Sequence, residues 1–273
     1  MGVEIVRAHP FVRPFASLDE IVTILGGTKM AFWPFLTAIG ADVFPYGSGN
    51  DGAVLTPSDE AAARALEAEF NPIRLNGVHA YYFDSSVNNH LNGGDNANYS
   101  HGNGTVDTAF SLGAWIMPTE ALGTARTIIA KYGSTANLEE YDFRFDASGN
   151  LVLELHDASA SASEIGTGAG DVLVPWAWNF VVATYDGEEA TPDVHLYRNG
   201  SDTLAAGTTT ETGAYVAMED TAAGLLIGAR DATGTPAQEF EGYVALPFVT
   251  GKELTAVEVT QLYQIGRRLV GLV

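Results

Sequence analysis

The chain has 273 residues, with 34 acidic against 13 basic side chains and a formal net charge of −21. A surface of that sign repels phosphate, which argues against nucleic acid and anionic membranes as partners. Cysteine is absent, so disulfides, zinc–thiolate sites and cysteine nucleophiles are excluded, and 46% hydrophobic residues supply the material for a large core.

Residues 1–28 read as a unit apart from residues 29–273. Pro10 and Pro14 suggest an extended arm. Ser17-Leu18-Asp19-Glu20 then has the form of a capping box, with Ser17 as N-cap. Ile21, Val22 and Leu25 give the helix one apolar face, and Gly26-Gly27 ends it. Such a segment is either an attachment device or a lid on the following domain, and the lid is favoured. The start, Met1 to Arg7, lacks the basic-then-apolar pattern of a secretion signal, which predicts synthesis in a cytosol. No apolar run is long enough to span a membrane.

Met30–Phe35 is predicted as a short aromatic strand, and residues 58–69 as a short Ala/Glu-rich helix. From residue 78 onward the pattern is strand, turn, strand. In Asp193–Arg198, Val194 and Leu196 face one way, and His195 and Tyr197 the other. Ser148-Gly149-Asn150, Asp186-Gly187 and Asn199-Gly200 are turn signals. Thr255 and Glu258 form a capping box for a closing helix, with Val259, Leu262, Tyr263 and Ile265 as its stripe and Gly266 as its stop. The fold class is therefore all-β: a two-sheet antiparallel sandwich with short N-terminal and C-terminal helices.

The order of motifs is more specific than any one of them. Phe110-Ser111-Leu112-Gly113-Ala114-Trp115-Ile116, Ile129-Ala130-Lys131-Tyr132-Gly133, Trp178 to Gly187, Leu196 to Gly200, Phe240-Glu241-Gly242-Tyr243 and Leu254 to Tyr263 follow one another in turn. In that order they resemble the laminin-G-like, concanavalin-A-like jelly-roll family. Trp115 and Trp178, in apolar strands, are expected to fill the core between the sheets. The resemblance implies an acidic pair after the late Gly-Tyr-Val, often used to hold calcium. Here Ala245 and Leu246 occupy those positions, followed by Pro247.

Catalytic signatures are mostly missing. Glycosidases of this fold carry carboxylates at alternate positions of one strand. The nearest stretch is Glu140–Asp146, where Glu140, Asp142, Arg144 and Asp146 would share a strand face. An Arg among carboxylates lowers their pKa values and disfavours a general acid, so a solvated ion-pair face is the expected reading. The six His, at 9, 79, 90, 101, 156 and 195, show no metal-ligand spacing and are expected on the surface or in strands. The loop 88–104 is rich in Asn and Gly. His90, Asn92, Asp95, Asn96 and Tyr99 are its candidates for hydrogen bonding and stacking on a sugar. Asp84 and Asp231, each after a strand, are candidate calcium ligands.

The resemblance and the charge together imply a non-catalytic structural protein of a particle surface. A bacteriophage capsid-decoration or fibre protein fits, homo-oligomeric, on the virion surface and able to bind cell-surface glycans. The basic-then-apolar tail from Gly266 to Val273 is a candidate docking element. The alternatives are an extracellular, calcium-dependent lectin-like module and, more remotely, a glycosidase.

Overall fold

The structure is a computed structural model. It describes residues 14–36, 43–47, 50–58, 73–135, 137–170, 172–188, 194–204, 207–232 and 234–272. The helix predicted over 58–69 lies almost wholly outside these residues.

Two antiparallel sheets stack face to face. Sheet 1 has the order β13 (Ser201–Asp202), β12 (Val194–Arg198), β11 (Asn179–Tyr185), β6 (Phe110–Pro118), β18 (Gly242–Thr250), β4 (His79–Phe83) and β3 (Ile73–Arg74). Strand β1 (Ala31–Phe32) pairs with the end of β18. Sheet 2 has the order β14 (Thr208–Thr212), β10 (Ala162–Thr167), β9 (Leu151–Asp157), β8 (Tyr141–Phe145), β7 (Arg126–Lys131), β15 (Leu225–Ile227), β5 (Leu91–Asn92) and β2 (Thr56–Pro57). A separate hairpin joins β16 (Arg230–Ala232) to β17 (Thr235–Ala237). The expected all-β sandwich is thus present, with α1 (Pro14–Leu25) before its strands and α2 (Ala256–Leu269) after them in the chain. No helix among the described residues is long and apolar enough to cross a membrane.

Alternation along each strand builds the core. Phe110, Leu112, Ala114 and Ile116 of β6 meet Tyr141, Phe143, Phe145, Leu151, Leu153 and Leu155 of sheet 2. Each fully buried Leu, Ile or Phe among them contributes about 1.5–3 kcal/mol relative to exposure. The opposite face of sheet 1 is also apolar, because both helices cover it. Leu18, Ile21 and Leu25 of α1, and Val259, Leu262, Ile265 and Leu269 of α2, pack with Trp115, Phe180 and Val182 in a second core. Residues 14–28 therefore act as a lid on the sandwich.

This third layer corrects the assignment of the tryptophans. Trp115 lies against α2, stacked on Tyr263 with ring centroids 5.6 Å apart, and Trp178 packs at the edge of that layer. Neither fills the space between the sheets. Gly266 does not stop α2. A Cβ there would come within 2.2 Å of Trp115 Nε1, so glycine makes room for the indole and the helix runs on to Leu269. At an ordinary helix-interior position, Gly→Ala stabilises by about 1 kcal/mol. Gly266→Ala is expected instead to lower stability by about 1–3 kcal/mol through overpacking, read as a lower urea midpoint; an unchanged or raised midpoint would contradict the close approach. The tail that follows also packs inward: Leu269 and Val270 are buried in the helix–sheet core.

Other local expectations shift for physical reasons. The first helix takes in all of Pro14–Leu25, so Ser17 lies inside the helix, buried, and is not its N-cap. The Thr255–Glu258 capping box is present in both directions. The aromatic run 30–35 keeps only two residues in strand. At the Ala245–Leu246–Pro247 departure, the β6–β18 register shifts between Ala245 and Phe248, and Leu246 takes φ 53°.

Candidate functional site

The outer face of sheet 2, away from the core, carries a cluster of polar and aromatic side chains. Strands β7, β8 and β9 are joined in sequence, and each presents its alternate residues there. Asp142 and Arg144 come from β8, Glu154 and His156 from β9, and Tyr132 follows β7. The hairpin β16–β17 adds Arg230 and Asp231 and is tied to the sheet by a parallel bridge between Gly133 and Asp231.

Asp142 is the hub. It is fully buried, and its carboxylate accepts from Thr127 Oγ1 at 3.1 Å, Arg144 Nη1 at 3.2 Å and Arg230 Nη1 at 3.1 Å. Arg144 reaches on to Glu154 Oε2 at 2.7 Å. The Arg230 guanidinium lies over the Tyr132 ring, 4.8 Å from its centroid, and His156 meets the same ring edge-on at 5.2 Å. Burial holds the His156 imidazole below its usual pKa, against the pull of Glu154 and Asp142, and burial pushes the Tyr132 hydroxyl up. At neutral pH the cluster sets two guanidiniums, of Arg144 and Arg230, against three carboxylates, of Asp142, Glu154 and Asp231, and His156 is uncharged, so its net charge is slightly negative.

The network leaves hydrogen-bonding capacity unspent. His156 Nε2, Arg230 Nε and Asp231 Oδ1 are shielded from bulk water and have no hydrogen-bond partner among the described residues; His156 Nε2 lies 3.8 Å from Glu154 Oε1, beyond hydrogen-bond distance. Groups of this kind are costly unless something satisfies them. Those three atoms lie beneath the face, out of a ligand's reach, but the side chains of Arg144, Glu154 and Arg230 stay partly exposed around a half-buried phenol ring, an arrangement suited to a polyhydroxylated ligand with the ring against C–H groups and these side chains on hydroxyls.

The predicted strand face is only partly formed. Asp142 and Arg144 share it, but Glu140 and Asp146 leave it. Glu140 is fully buried, and its Oε1 accepts from Lys131 Nζ at 2.6 Å and from Thr221 N and Oγ1 at 2.8 Å each. Asp146 caps the following turn through Ser148 N and Asn150 N. The ion pairs are half-buried and not a solvated fringe, since Arg144 and Glu154 side chains are only 15% and 16% exposed.

The loop 88–104 folds in on the domain, and most of its candidates serve structure. Tyr99 is fully buried beside Trp33, its hydroxyl accepting from Ala53 N, so it is not available to stack on a sugar. His90 is buried with Nδ1 3.1 Å from Asn88 O. Asn92, in β5, accepts from Gly94 N, and Asn96 caps the turn Ala97–Tyr99. Asp95 lies 3.4 Å from Lys131 Nζ. The candidate calcium ligands do not assemble: Asp84 accepts from Ser86 N and Oγ, and Asp231 stands in the outer-face cluster. Among the described residues no group of three or more His, Asp or Glu is placed to hold a metal ion. His101 is neither on the surface nor in a strand: its fully buried ring stacks on Phe110 with centroids 4.4 Å apart.

Tyr132, Glu154, His156 and Arg230 were not singled out from sequence. The run Leu151-Val152-Leu153-Glu154-Leu155-His156 does carry the signal, because three leucines on one face put Glu154 and His156 together on the other. Trp176 gave no signal of its kind. It is 69% exposed at φ 59°, in a loop next to the β8–β9 turn, where Leu173 N donates to Gly149 O.

With this geometry in place, comparison with known proteins gives the family. The model described as the concanavalin A-like lectin/glucanases superfamily matches residues 91–260. The chain belongs to that superfamily. A search of curated proteins found no match to the sequence. Among solved structures, the binding domain of Paraclostridial Mosquitocidal Protein 1 is similar at TM-score 0.58 and 11% identity, over 85% of this chain and 51% of that one. The receptor-binding domain of botulinum neurotoxin type G is similar at TM-score 0.54 and 14% identity, over 88% and 52%. The chain spans about half the length of these two. Domain 4 of AbnA, a GH43 extracellular arabinanase from Geobacillus stearothermophilus solved with arabinotriose, is similar at TM-score 0.50 and 14% identity, over 86% and 97%. At these identities the likeness shows a shared jelly-roll fold, which in this superfamily carries both lectins and glucanases.

Proposed function

We propose that the chain is a non-catalytic carbohydrate-binding module whose ligand lies on the outer face of sheet 2, over Tyr132. The observation that carries this reading is the half-buried Tyr132 ring held between Arg230 and His156, with the partly exposed side chains of Arg144, Glu154 and Arg230 fixed beside it. The slight negative charge of the cluster disfavours anionic sugars. Two neighbours of the same fold are binding domains, and a third is a domain of an arabinanase solved with arabinotriose, which supports binding of a carbohydrate. The carboxylates argue against a glycosidase. Arg144 and Arg230 hold Asp142, which is fully buried, and Arg144 holds Glu154, so both carboxylates are engaged in ion pairs and not presented as a facing pair to a glycosidic bond.

Glycan-array binding tests the reading, run with calcium and again with chelator. Selective binding is expected in both conditions, because Asp84 and Asp231 do not converge. Tyr132→Ala is expected to weaken it at least tenfold, about 1.4 kcal/mol, while leaving the fold intact. Binding unaffected by Tyr132→Ala would move the site elsewhere, and no binding to any glycan would overturn the proposal.

The setting read from the sequence, the surface of a bacteriophage particle, is a second reading supported by the net charge of −21. The C-terminal tail no longer speaks for it, since Leu269 and Val270 are packed in the domain's own core. Stoichiometric incorporation into purified particles is its test.

A further inference from the structure

Among the described residues, the outermost strands at the ends of the two sheets are not alike. Three of them are strands of two residues: β13 and β3 in sheet 1, and β2, which contains Pro57, in sheet 2. Short strands and proline are common ways to blunt an edge against pairing with another chain. The fourth edge, β14, is built differently. It runs five residues, Thr208-Thr209-Thr210-Glu211-Thr212, in unbroken register with β10 from Thr167↔Thr208 to Ser163↔Thr212. It carries no lysine, arginine or proline, and no bulge turns it away.

All five side chains of β14 are exposed. The strand buries none of them in the core, so among the described residues its backbone order rests on the β10 ladder, while fixing each residue costs about 1–2 kcal/mol of conformational entropy. Its outer rim of N–H and C=O groups is a template for one more strand. Threonine is also among the best strand formers for such a surface.

We infer that β14 is the docking edge for a second copy of this chain, pairing antiparallel with its own equivalent about a two-fold axis at Thr210. This goes beyond the carbohydrate reading and does not depend on it. The sequence is self-complementary in that register. Thr208 meets Thr212 of the second copy, Thr210 meets Thr210, and Glu211 meets Thr209, so no two like charges stand opposite each other. Thr–Thr pairs across antiparallel strands are favourable. Glu211 is in addition turned back onto its own chain, where Oε1 accepts from Tyr215 N at 3.2 Å. A two-fold contact of this kind closes on itself and yields a dimer, with no route to a filament through the same edge. It would join the two copies of sheet 2 into one continuous sheet, with both Tyr132 clusters on it.

The opposing force is the charge of −21 on each copy. Repulsion over the rest of the surface is screened within about 8 Å at physiological ionic strength and about 3 Å at 1 M salt, so salt should strengthen the dimer.

Sedimentation equilibrium of the full chain, from micromolar to submillimolar concentration at both ionic strengths, tests the inference. A monomer–dimer equilibrium is expected, shifted to dimer by salt. Thr210→Lys and Thr210→Glu each place like charges opposite each other at the axis and are expected to be monomeric, with unchanged circular dichroism since Thr210 is exposed. Mixing these two variants is expected to restore a dimer, now a heterodimer. A wild-type chain that stays monomeric throughout would overturn the inference. So would a dimer that Thr210→Lys leaves intact, which would place the contact on another surface.

Discussion

Replacing Glu140 by Ala is expected to destabilise the domain by about 3–5 kcal/mol, the cost of leaving the other half of a buried ion pair without its counter-charge. Lys131 is fully buried, and Glu140 is its close carboxylate; Asp95, at 3.4 Å, is half-exposed and cannot replace it. Thr221 N and Oγ1 would lose the same acceptor, and Ser100 Oγ, at 3.3 Å, would lose it as well. Burial pushes the Glu140 carboxyl up, while Lys131 and the Thr221 donors pull it down. The double replacement Lys131→Met with Glu140→Leu removes both charges together and is expected to recover most of the loss. Urea unfolding of the three proteins checks this. A Glu140→Ala midpoint equal to that of wild type would show that the pair anchors nothing. Glycan binding at Tyr132 should survive in whatever fraction of Glu140→Ala remains folded, because Glu140 does not face that cluster.

How much of this was legible in the sequence differs from element to element. The β8–β9 hairpin was fully legible: Ser148-Gly149-Asn150 marks its turn, and the alternation of Tyr141, Phe143 and Phe145 with Leu151, Leu153 and Leu155 fixes which face is core. Trp115 was misplaced although the signal was there. Residues 110–117 are nonpolar at nearly every position, and a strand apolar on both sides is covered on both sides. That pattern announces a helical layer over sheet 1, which α1 and α2 provide. Gly266 misled for a related reason: a glycine late in a helix reads as a stop until the indole beneath it is known. The outer-face cluster was half legible. Asp142, Arg144, Glu154 and His156 follow from alternation in two adjacent strands. Arg230 and Asp231 arrive from far along the chain, because β15 inserts between β7 and β5 and carries the β16–β17 hairpin with it. The loop 88–104 shows the limit of composition. Its amide-rich sequence suggested a solvated binding loop, but the same Asn side chains close turns and tuck Tyr99 and His101 into the core.

His101 gives the second large effect, an acid sensitivity with a defined window. Its ring is fully buried against Phe110, and both ring nitrogens lack partners among the described residues. Burial, then the positive charges of Lys29 and Lys131, lower its pKa from the ordinary 6.5 to about 3. The folded state therefore prefers the neutral ring. The stabilisation is complete above pH 6.5 and is lost as pH falls from 6.5 towards 3, by about 1.4 kcal/mol per pH unit. His90 and His156, also lowered by burial, act in the same direction. Glu164 acts in the opposite one: burial and then Glu211 raise its pKa to about 7, so the folded state gains stability as pH drops from 7 towards 4.5. These opposing slopes overlap, and the stability of the wild-type protein alone does not separate them. His101→Phe does, because it keeps a flat ring on Phe110 and removes only the proton site. The stability of this variant relative to wild type is expected to be constant above pH 6.5 and to rise by about 1.4 kcal/mol for each unit below it, measured by urea unfolding between pH 7.5 and 4.5. Parallel curves for the two proteins would mean that His101 takes up its proton without opening the core, and the acid limit of the domain would then lie with its carboxylates.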